Sequence, residues 1–267
     1  MPASQRSVQL TEAYRARLLA TRQRIQGLAE RTWPTIDSLD GTDWVDRMAA
    51  ALAQGQIEAV RVSAAYLSAY YTTETGKRSR PPAIDPRKFA GLSRDGRPLK
   101  DSLHSPLIGT LGALKDGRSP SEALRIGLNR ATRMVGVDYD HAHRTALLSG
   151  IESDDRFSGW RRVTGGTCAA CAAKAGTLES GLRFQVHAGC QCVSEPAVSG
   201  VVETIARPTG AAIFNAKSQP EQDEMLGPEA AELVRRGELT LQDLAGESEM
   251  ETGDDFLTQE PLSAVAT

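Results

Sequence analysis

The four cysteines of this chain fall inside one 25-residue window with a histidine between them: Cys168-Ala-Ala-Cys171, then His187-Ala-Gly-Cys190-Gln-Cys192. A disulfide framework spreads its cysteines over the elements it staples. Confinement of this kind fits a tetrahedral nitrogen/sulfur shell around zinc. The CxxC turn offers two thiolates from one tight loop, and a second loop returns with an imidazole and two more thiols. Cys168, Cys171, His187, Cys190 and Cys192 thus compete for about four positions, leaving one to spare. Residues two apart on an extended strand share a face, so either member of the CxC pair is a credible ligand. Two alternatives stand beside zinc: a cluster of buried thiols with His187 as a polar neighbour, and a thioredoxin-type couple. The latter lacks the βαβ context that motif needs.

The donor set reads as structural. A catalytic zinc keeps an open position for water, with fewer thiolates and a carboxylate base nearby. From Gly165 to Cys192 there is one acid, Glu179, in a turn-like Leu-Glu-Ser-Gly. A deaminase would need HxE before its cysteine pair, and His187-Ala-Gly does not supply it. A closed site of this kind substitutes for a hydrophobic core in a small module.

Length allows one large domain or two small ones, while 40% hydrophobic and 5% aromatic residues are low for a compact enzyme. No apolar run approaches a membrane span, and Met1-Pro-Ala-Ser-Gln-Arg lacks a signal-peptide apolar core. Thiol ligands with no other cysteines fit folding in a reducing cytoplasm. The net charge of −3 hides an asymmetry: residues 217–267 hold thirteen acids and three bases, the first 216 residues 21 acids and 28 bases. The densest basic stretch is Lys77–Lys100, with Arg78, Arg80, Arg87, Lys88, Arg94 and Arg97 between its ends. It can meet phosphates or an acidic protein surface, or it is a solvated loop. Phe89 is its one aromatic residue for stacking on bases.

Helical spacing of Leu10, Tyr14, Leu18, Ile25 and Leu28 predicts a helix over Thr11–Glu30, ended by Trp33-Pro34. A second is expected from an Asp43 N-cap to about Tyr71, with the Tyr66–Tyr71 cluster read as packed helix core in preference to a partner anchor. Residues 99–150 are the clearest helical region. Ser119-Pro120-Ser121-Glu122 reads as a capping box with proline at the first helical position. A break is expected at Val135-Gly136-Val137, with a further helix from Tyr139 to Gly150. His104, His141 and His143 read as surface or capping histidines. Strands are expected at Trp160–Thr164, Leu182–Val186 and Cys192–Pro196. Beyond Pro208 one short amphipathic helix, Pro228–Arg236, is expected, and from Gly246 the composition predicts disorder. The fold class is therefore mainly α: a helical body, a small β-rich (α+β) zinc-binding module, and a largely disordered acidic C-terminal tail. The expected regions are 1–98 (N-terminal helices), 99–200 (a helical hairpin plus the zinc module at 159–196) and 201–267 (the tail).

A Trp-x-Arg-Val-Thr strand, CxxC, a glycine-containing loop and HxxCxC-x3-Pro, preceded by a long helical hairpin, resembles the Mu-F-like minor head (capsid morphogenesis) proteins of tailed bacteriophages. The residues that carry the resemblance are Trp160, Arg162, Val163, Thr164, Cys168, Cys171, His187, Cys190, Cys192, Glu195 and Pro196, within roughly residues 99–200. The segment from Leu226-Gly-Pro to Leu244 is similar to the tail that succeeds this module in versions from phages of actinobacteria. The chain departs from common members in having Ala-Gly, not Pro-Asn or similar, between His187 and Cys190. The resemblance implies a minor capsid protein with a structural Zn2+, present in few copies in the capsid interior of the virion and in the host cytoplasm during assembly. Its implied role is head assembly and DNA packaging or ejection. Its implied partners are the phage portal protein and the major capsid or scaffolding protein. The charge asymmetry is compatible with this, the basic stretch Lys77–Lys100 facing portal or packaged DNA, and hydropathy gives no reason to expect a membrane partner. No catalytic residue is implied. Two other readings are a DNA-binding zinc protein and a capsid maturation protease. Ser102, Ser105, His104, His141 and His143 offer the protease its hydroxyls and imidazoles, without a Gly-x-Ser-x-Gly elbow.

Overall fold

The computed structural model describes residues 5–35, 38–39, 42–164, 169–182, 184, 190–201 and 208–247. It is mainly helical. Helices α1 (Gln5–Thr32) and α2 (Thr42–Thr75) are followed, after a proline-bearing loop and a 3-10 turn at Pro86–Lys88, by α3 (Leu99–Lys115) and α4 (Pro120–Glu152). Strands β1 (Phe157–Val163), β2 (Leu178–Glu179) and β3 (Val193–Val198) form an antiparallel sheet in the order β2-β1-β3, with helix α5 (Ala169–Ala173) between β1 and β2. Helices α6 (Gly210–Asn215), α7 (Gln219–Leu226), α8 (Pro228–Arg235) and α9 (Leu241–Glu247) come last. Among the described residues no helix is long and apolar enough to cross a membrane.

Tyr14, Leu18, Ile25 and Ala29 recur along one buried stripe of α1, and Trp44, Met48, Leu52, Ala59 and Leu67 along one of α2. The tyrosines belong to this core as expected. Tyr14 and Tyr66 stack with ring centroids 4.2 Å apart. Their hydroxyls are paired with Ser63 Oγ and Thr11 Oγ1, each at 2.8 Å. That pairing is what makes burying two phenols tolerable. Tyr71 is half-buried and meets Phe157 edge-on. One hydrophobic cluster runs through α1, α2, α3, α4, β1 and β3, taking residues from both sides of the expected boundary at residue 98.

Several expectations are corrected. Helices α1 and α2 are longer than their apolar stripes indicated, and Asp43 lies inside the first turn of α2. The break expected at Val135-Gly136-Val137 does not occur, and α4 runs unbroken for 33 residues. A Cβ at Gly136 would lie 2.8 Å from Arg22 Nε and 2.9 Å from Gln26 Nε2. The glycine lets α1 approach; it does not end the helix. Ser119 caps α4 as predicted by accepting from the Glu122 N–H at 3.3 Å, but the Glu122 carboxylate pairs with Arg118 at 2.9 Å and does not return to the cap.

In the sheet, Trp160 faces Pro196 and Arg162 faces Ser194 across β1 and β3. Proline is tolerated because β3 is an edge strand. The strand expected at Leu182–Val186 is not seen: Leu182 and Phe184 lie in no strand, and residues 183, 185 and 186 lie outside the described residues. The third strand is instead Leu178–Glu179, in the segment read as a turn, pairing with Trp160 and Arg161.

The acidic tail is also corrected, from one short helix to four. Phe214, Met225, Ala231 and Leu241 form a second core with Ala172 and Ala173 of α5. A Cβ at Gly210 would lie 2.1 Å from the Ala172 carbonyl oxygen, so the first of these helices rests directly on α5. Dispersed single apolar residues give little periodic signal, yet together they cover one small alanine face. The disorder expected from Gly246 falls almost wholly on residues 248–267, outside the described residues.

A tight turn at 91–98 is held to the bundle by two buried side chains. Gln56 Nε2 donates to the Leu92 and Asp138 carbonyls at 2.9 and 3.1 Å, its Oε1 accepts from the Gly91 N–H at 2.8 Å, and Asp138 Oδ1 accepts from the Arg94 N–H at 2.9 Å. Burial pushes the Asp138 carboxyl up to about 7, against the hydrogen bond from Arg94.

Two outcomes are expected. Gly127 sits where a Cβ would meet Thr110 Oγ1 at 1.8 Å and Trp33 at 2.7 Å, whereas Gly112 in α3 has open space. Gly127→Ala should lower the unfolding free energy by about 1–3 kcal/mol. Gly112→Ala should raise it by about 0.5–1 kcal/mol, both read by urea denaturation. Asp138 has a folded pKa raised from 3.8 to about 7. The folded state therefore holds the proton longer than the unfolded chain, and stability falls as pH rises between those values. Asp138→Asn keeps the oxygen that accepts from Arg94. Its stability relative to the parent should be unchanged near pH 4, grow up to pH 7 and stay level above. A pH-independent difference would refute this account.

Candidate metal centre

Pairing of β1 with β3 brings the chain ahead of β3 back over α5. Cys190 and Cys192 then meet Cys171, the central residue of α5, and the three sulfurs lie within 4.8 Å of one another with all three residues buried. The sulfurs of Cys171 and Cys190 are 3.7 Å apart. A disulfide requires about 2.05 Å. Two thiolates on a tetrahedral metal, each about 2.3 Å from the ion, lie roughly 3.8 Å apart. The spacing fits the edge of a tetrahedral sulfur shell, and the residues present fit a metal ion. Both members of the CxC pair take part, as their shared face allows. Cys168 and His187 lie outside the described residues.

The shell around the thiols is built from two buried guanidiniums and one ring. Phe184 stacks on Trp160 with centroids 5.1 Å apart and packs on the cysteine cluster. Arg162 lies 4.0 Å from the Phe184 centroid on one side and Arg144 5.0 Å on another. Trp160 Nε1 donates to the Gly181 carbonyl at 3.2 Å, fixing the chain that leads to Phe184.

Arg144, on α4, reaches the ligand loop itself. Its Nη2 donates to the Cys190 carbonyl at 2.8 Å and the Cys192 carbonyl at 3.1 Å, and Nε is 3.4 Å from the latter. Behind it, Asp140 Oδ2 is 3.8 Å from Arg144 Nη2 and 3.5 Å from Arg22 Nε on α1. Asp140 Oδ1 is 3.6 Å from His143 Nε2. Burial opposes the charge on Arg144, but Asp140 and the sulfurs of Cys190, Cys192 and Cys171 outweigh it and hold the guanidinium charged. Burial holds His143 below its usual pKa against the pull of Asp140. The hydrogen bond with Cys171 pulls the Cys192 thiol down, while Cys190 and burial push harder the other way, to about 11 for the thiols alone.

Sequence reasoning missed Arg144, Asp140 and Arg22. A faint signal was present: Asp140 and Arg144 stand four apart among Tyr139, Ala142, Ala146 and Leu147, where a surface ion pair would not be expected. The histidine reading needs one correction. His104 and His141 are exposed, but His143 is 2% exposed and wedged beside Tyr14 and Tyr139. Among the described residues neither Ser102 nor Ser105 hydrogen-bonds to a histidine, and the Ser102 hydroxyl is turned back on the Pro98 and Leu99 carbonyls. Glu179 stands on β2 as the partner of Trp160.

The cluster is soft and sulfur-rich, and among the described residues no carboxylate joins it. A cavity of about 80 Å³ borders it, lined by Arg94, His141, Arg144, Thr145 and Cys190 among others. That is room for a small ion or solvent, well below the roughly 300 Å³ at which ligand pockets begin. Comparison with protein-family models, curated proteins and solved structures finds no match to this chain.

Replacing Cys171 or Cys190 by Ser should abolish tight metal binding, read by competition with a chromogenic chelator. Arg144→Met should weaken binding about 10–100-fold while far-UV circular dichroism keeps the helical signal. Arg144→Lys should recover little of it, because one ammonium cannot reproduce a planar fork set against two carbonyls. Undiminished affinity in Arg144→Met would show that the ligand loop holds its shape without this residue.

Proposed function

We propose that this protein is a minor head protein of a tailed bacteriophage, of the Mu-F-like kind, bound near the portal inside the capsid and acting in head assembly and DNA packaging or ejection. The observation that carries the reading is the meeting of Cys171, Cys190 and Cys192 in one buried cluster beside a sheet that holds Trp160, Arg162, Glu195 and Pro196. These are residues on which the resemblance rests. Trp160, Arg162 and Glu195 are all buried, as structural members of a compact module are. The long hairpin of α3 and α4 precedes the sheet, in the order the resemblance expects.

The metal is zinc in this reading. Three thiolates with a fourth donor from Cys168 or His187 make a closed tetrahedral shell, which suits an ion without redox chemistry and leaves no position for a reacting water. Zinc then fixes the loops that carry its ligands. Cys190 and Cys192 hold the ion by their sulfurs and present their carbonyls to Arg144, so the module is rigid with respect to α4. Such a part presents a surface to a partner and does no chemistry.

The test is co-expression with a tailed-phage portal protein from the same genome, followed by zinc quantification by mass spectrometry and size-exclusion chromatography. About one zinc per chain and co-elution with portal are expected. Zinc without co-elution overturns the portal assignment, and absence of zinc overturns the metal assignment.

A further inference from the structure

The structure divides the basic stretch into two halves with different fates. In the second half, Arg97 pairs with Asp95 and Lys100 with Asp46, and the backbone N–H of Arg94 is bound by Asp138. In the first half, Lys77, Arg78, Arg80, Arg87 and Lys88 are all exposed. None of these five forms an ion pair with another described residue. The one acid among them, Asp85, turns its carboxylate to the Arg87 N–H at 3.0 Å and caps the 3-10 turn.

This arm is held in place. The Ser79 carbonyl accepts from Ser68 Oγ at 2.8 Å, and Arg156, stacked over Tyr71, donates to Ser79 Oγ. Ile84 turns inward against α4, where a Cβ at Gly150 would lie 2.8 Å from its Cδ1. Pro81, Pro82 and Pro86 restrict the backbone between these anchors. The cations are therefore presented on a stiffened loop, which lowers the ordering cost of binding.

We propose that the Lys77–Lys88 arm is a docking surface for the phosphate backbone of duplex DNA. The arm has charge and little else to offer a partner. No aromatic side chain lies within it to stack on unpaired bases, so single strands gain nothing special. Its one large apolar residue, Ile84, faces inward, which leaves no wedge for an acyl layer and no anchor for a protein hot spot. Contact made by cations alone suits a regular array of phosphates, positioning the chain on the duplex without reading its sequence. Neither the metal nor the portal enters this contact, which stands or falls apart from both.

Binding of the full-length chain to a fluorescein-labelled 20-base-pair duplex, followed by anisotropy between 50 and 200 mM salt, tests it. If all five cations engage, log affinity should fall against log salt with a slope of about −4.5, a several-hundred-fold loss over that range. The triple variant Arg78→Ala/Arg80→Ala/Arg87→Ala should lose about 3 from the slope magnitude with its circular dichroism unchanged. Arg97→Ala/Lys100→Ala, in the ion-paired half, should leave the slope within about 1 of the parent value. No binding at 50 mM, or a slope untouched in the triple variant, overturns the proposal. So does tighter arm-dependent binding to polyglutamate or to phosphatidylserine vesicles than to the duplex.

Discussion

The fold turns on one buried cation. Arg144 leaves the C-terminal half of α4, binds the carbonyls of Cys190 and Cys192, and rests against Asp140, which in turn meets Arg22 on α1. A guanidinium out of water is costly unless its donors and charge are met, and removing one partner of such a set costs roughly 3–5 kcal/mol. That asymmetry ties α1, α4 and the segment ahead of β3 together. None can move alone without leaving a charge stranded. The sulfurs of Cys190, Cys192 and Cys171 are close enough that negative charge on them favours the guanidinium.

Around this point the packing works through small residues. Gly136 admits Arg22, Gly127 admits Trp33 and Thr110, and Gly55 admits Ile25, each at distances a Cβ would violate. Long helices with alanine-rich bodies have little side-chain bulk with which to fill space, so their stability comes from close backbone approach. The same economy governs the end of the described chain, where α6 and α9 rest on the alanines of α5. Because α5 also carries Cys171, the C-terminal helices and the thiol cluster share one short support.

The sheet module is too small to hold itself. Its strands are short, and their buried apolar residues, Phe157, Trp160, Val163, Val193 and Val198, belong to the same cluster as the helices and form no core of their own. A sulfur cluster on one side and α4 on the other replace the core that three short strands cannot make alone. In the proposed role of a portal-bound head component, this gives a rigid module on a helical body, with the basic arm at the far end of α2 as a separate surface.

Much of the fold was legible in the sequence because its signals are local. The 3.6-residue spacing of Tyr14, Leu18 and Ile25 specifies a helix wherever it is placed, Ser119-Pro120 starts one, and the spacing of Cys171, Cys190 and Cys192 names the chemistry they share. The tertiary structure decided what such signals leave open. Gly136 breaks helices in isolation, but here its missing side chain is what α1 needs. Leu178–Glu179 became a strand through Trp160 and Arg161, almost twenty residues earlier. Arg144 and Asp140 carry charges that local rules assign to the surface, and they are buried because partners on α1 and beside β3 meet those charges. The sequence by itself determined the long helices of the body and the donor atoms of the thiol cluster, since periodicity and side-chain chemistry are properties of the chain. Only the folded structure decided which charges are buried, which glycines are contacts and which thiols meet, since these depend on residues far apart in sequence sharing one space that water has left.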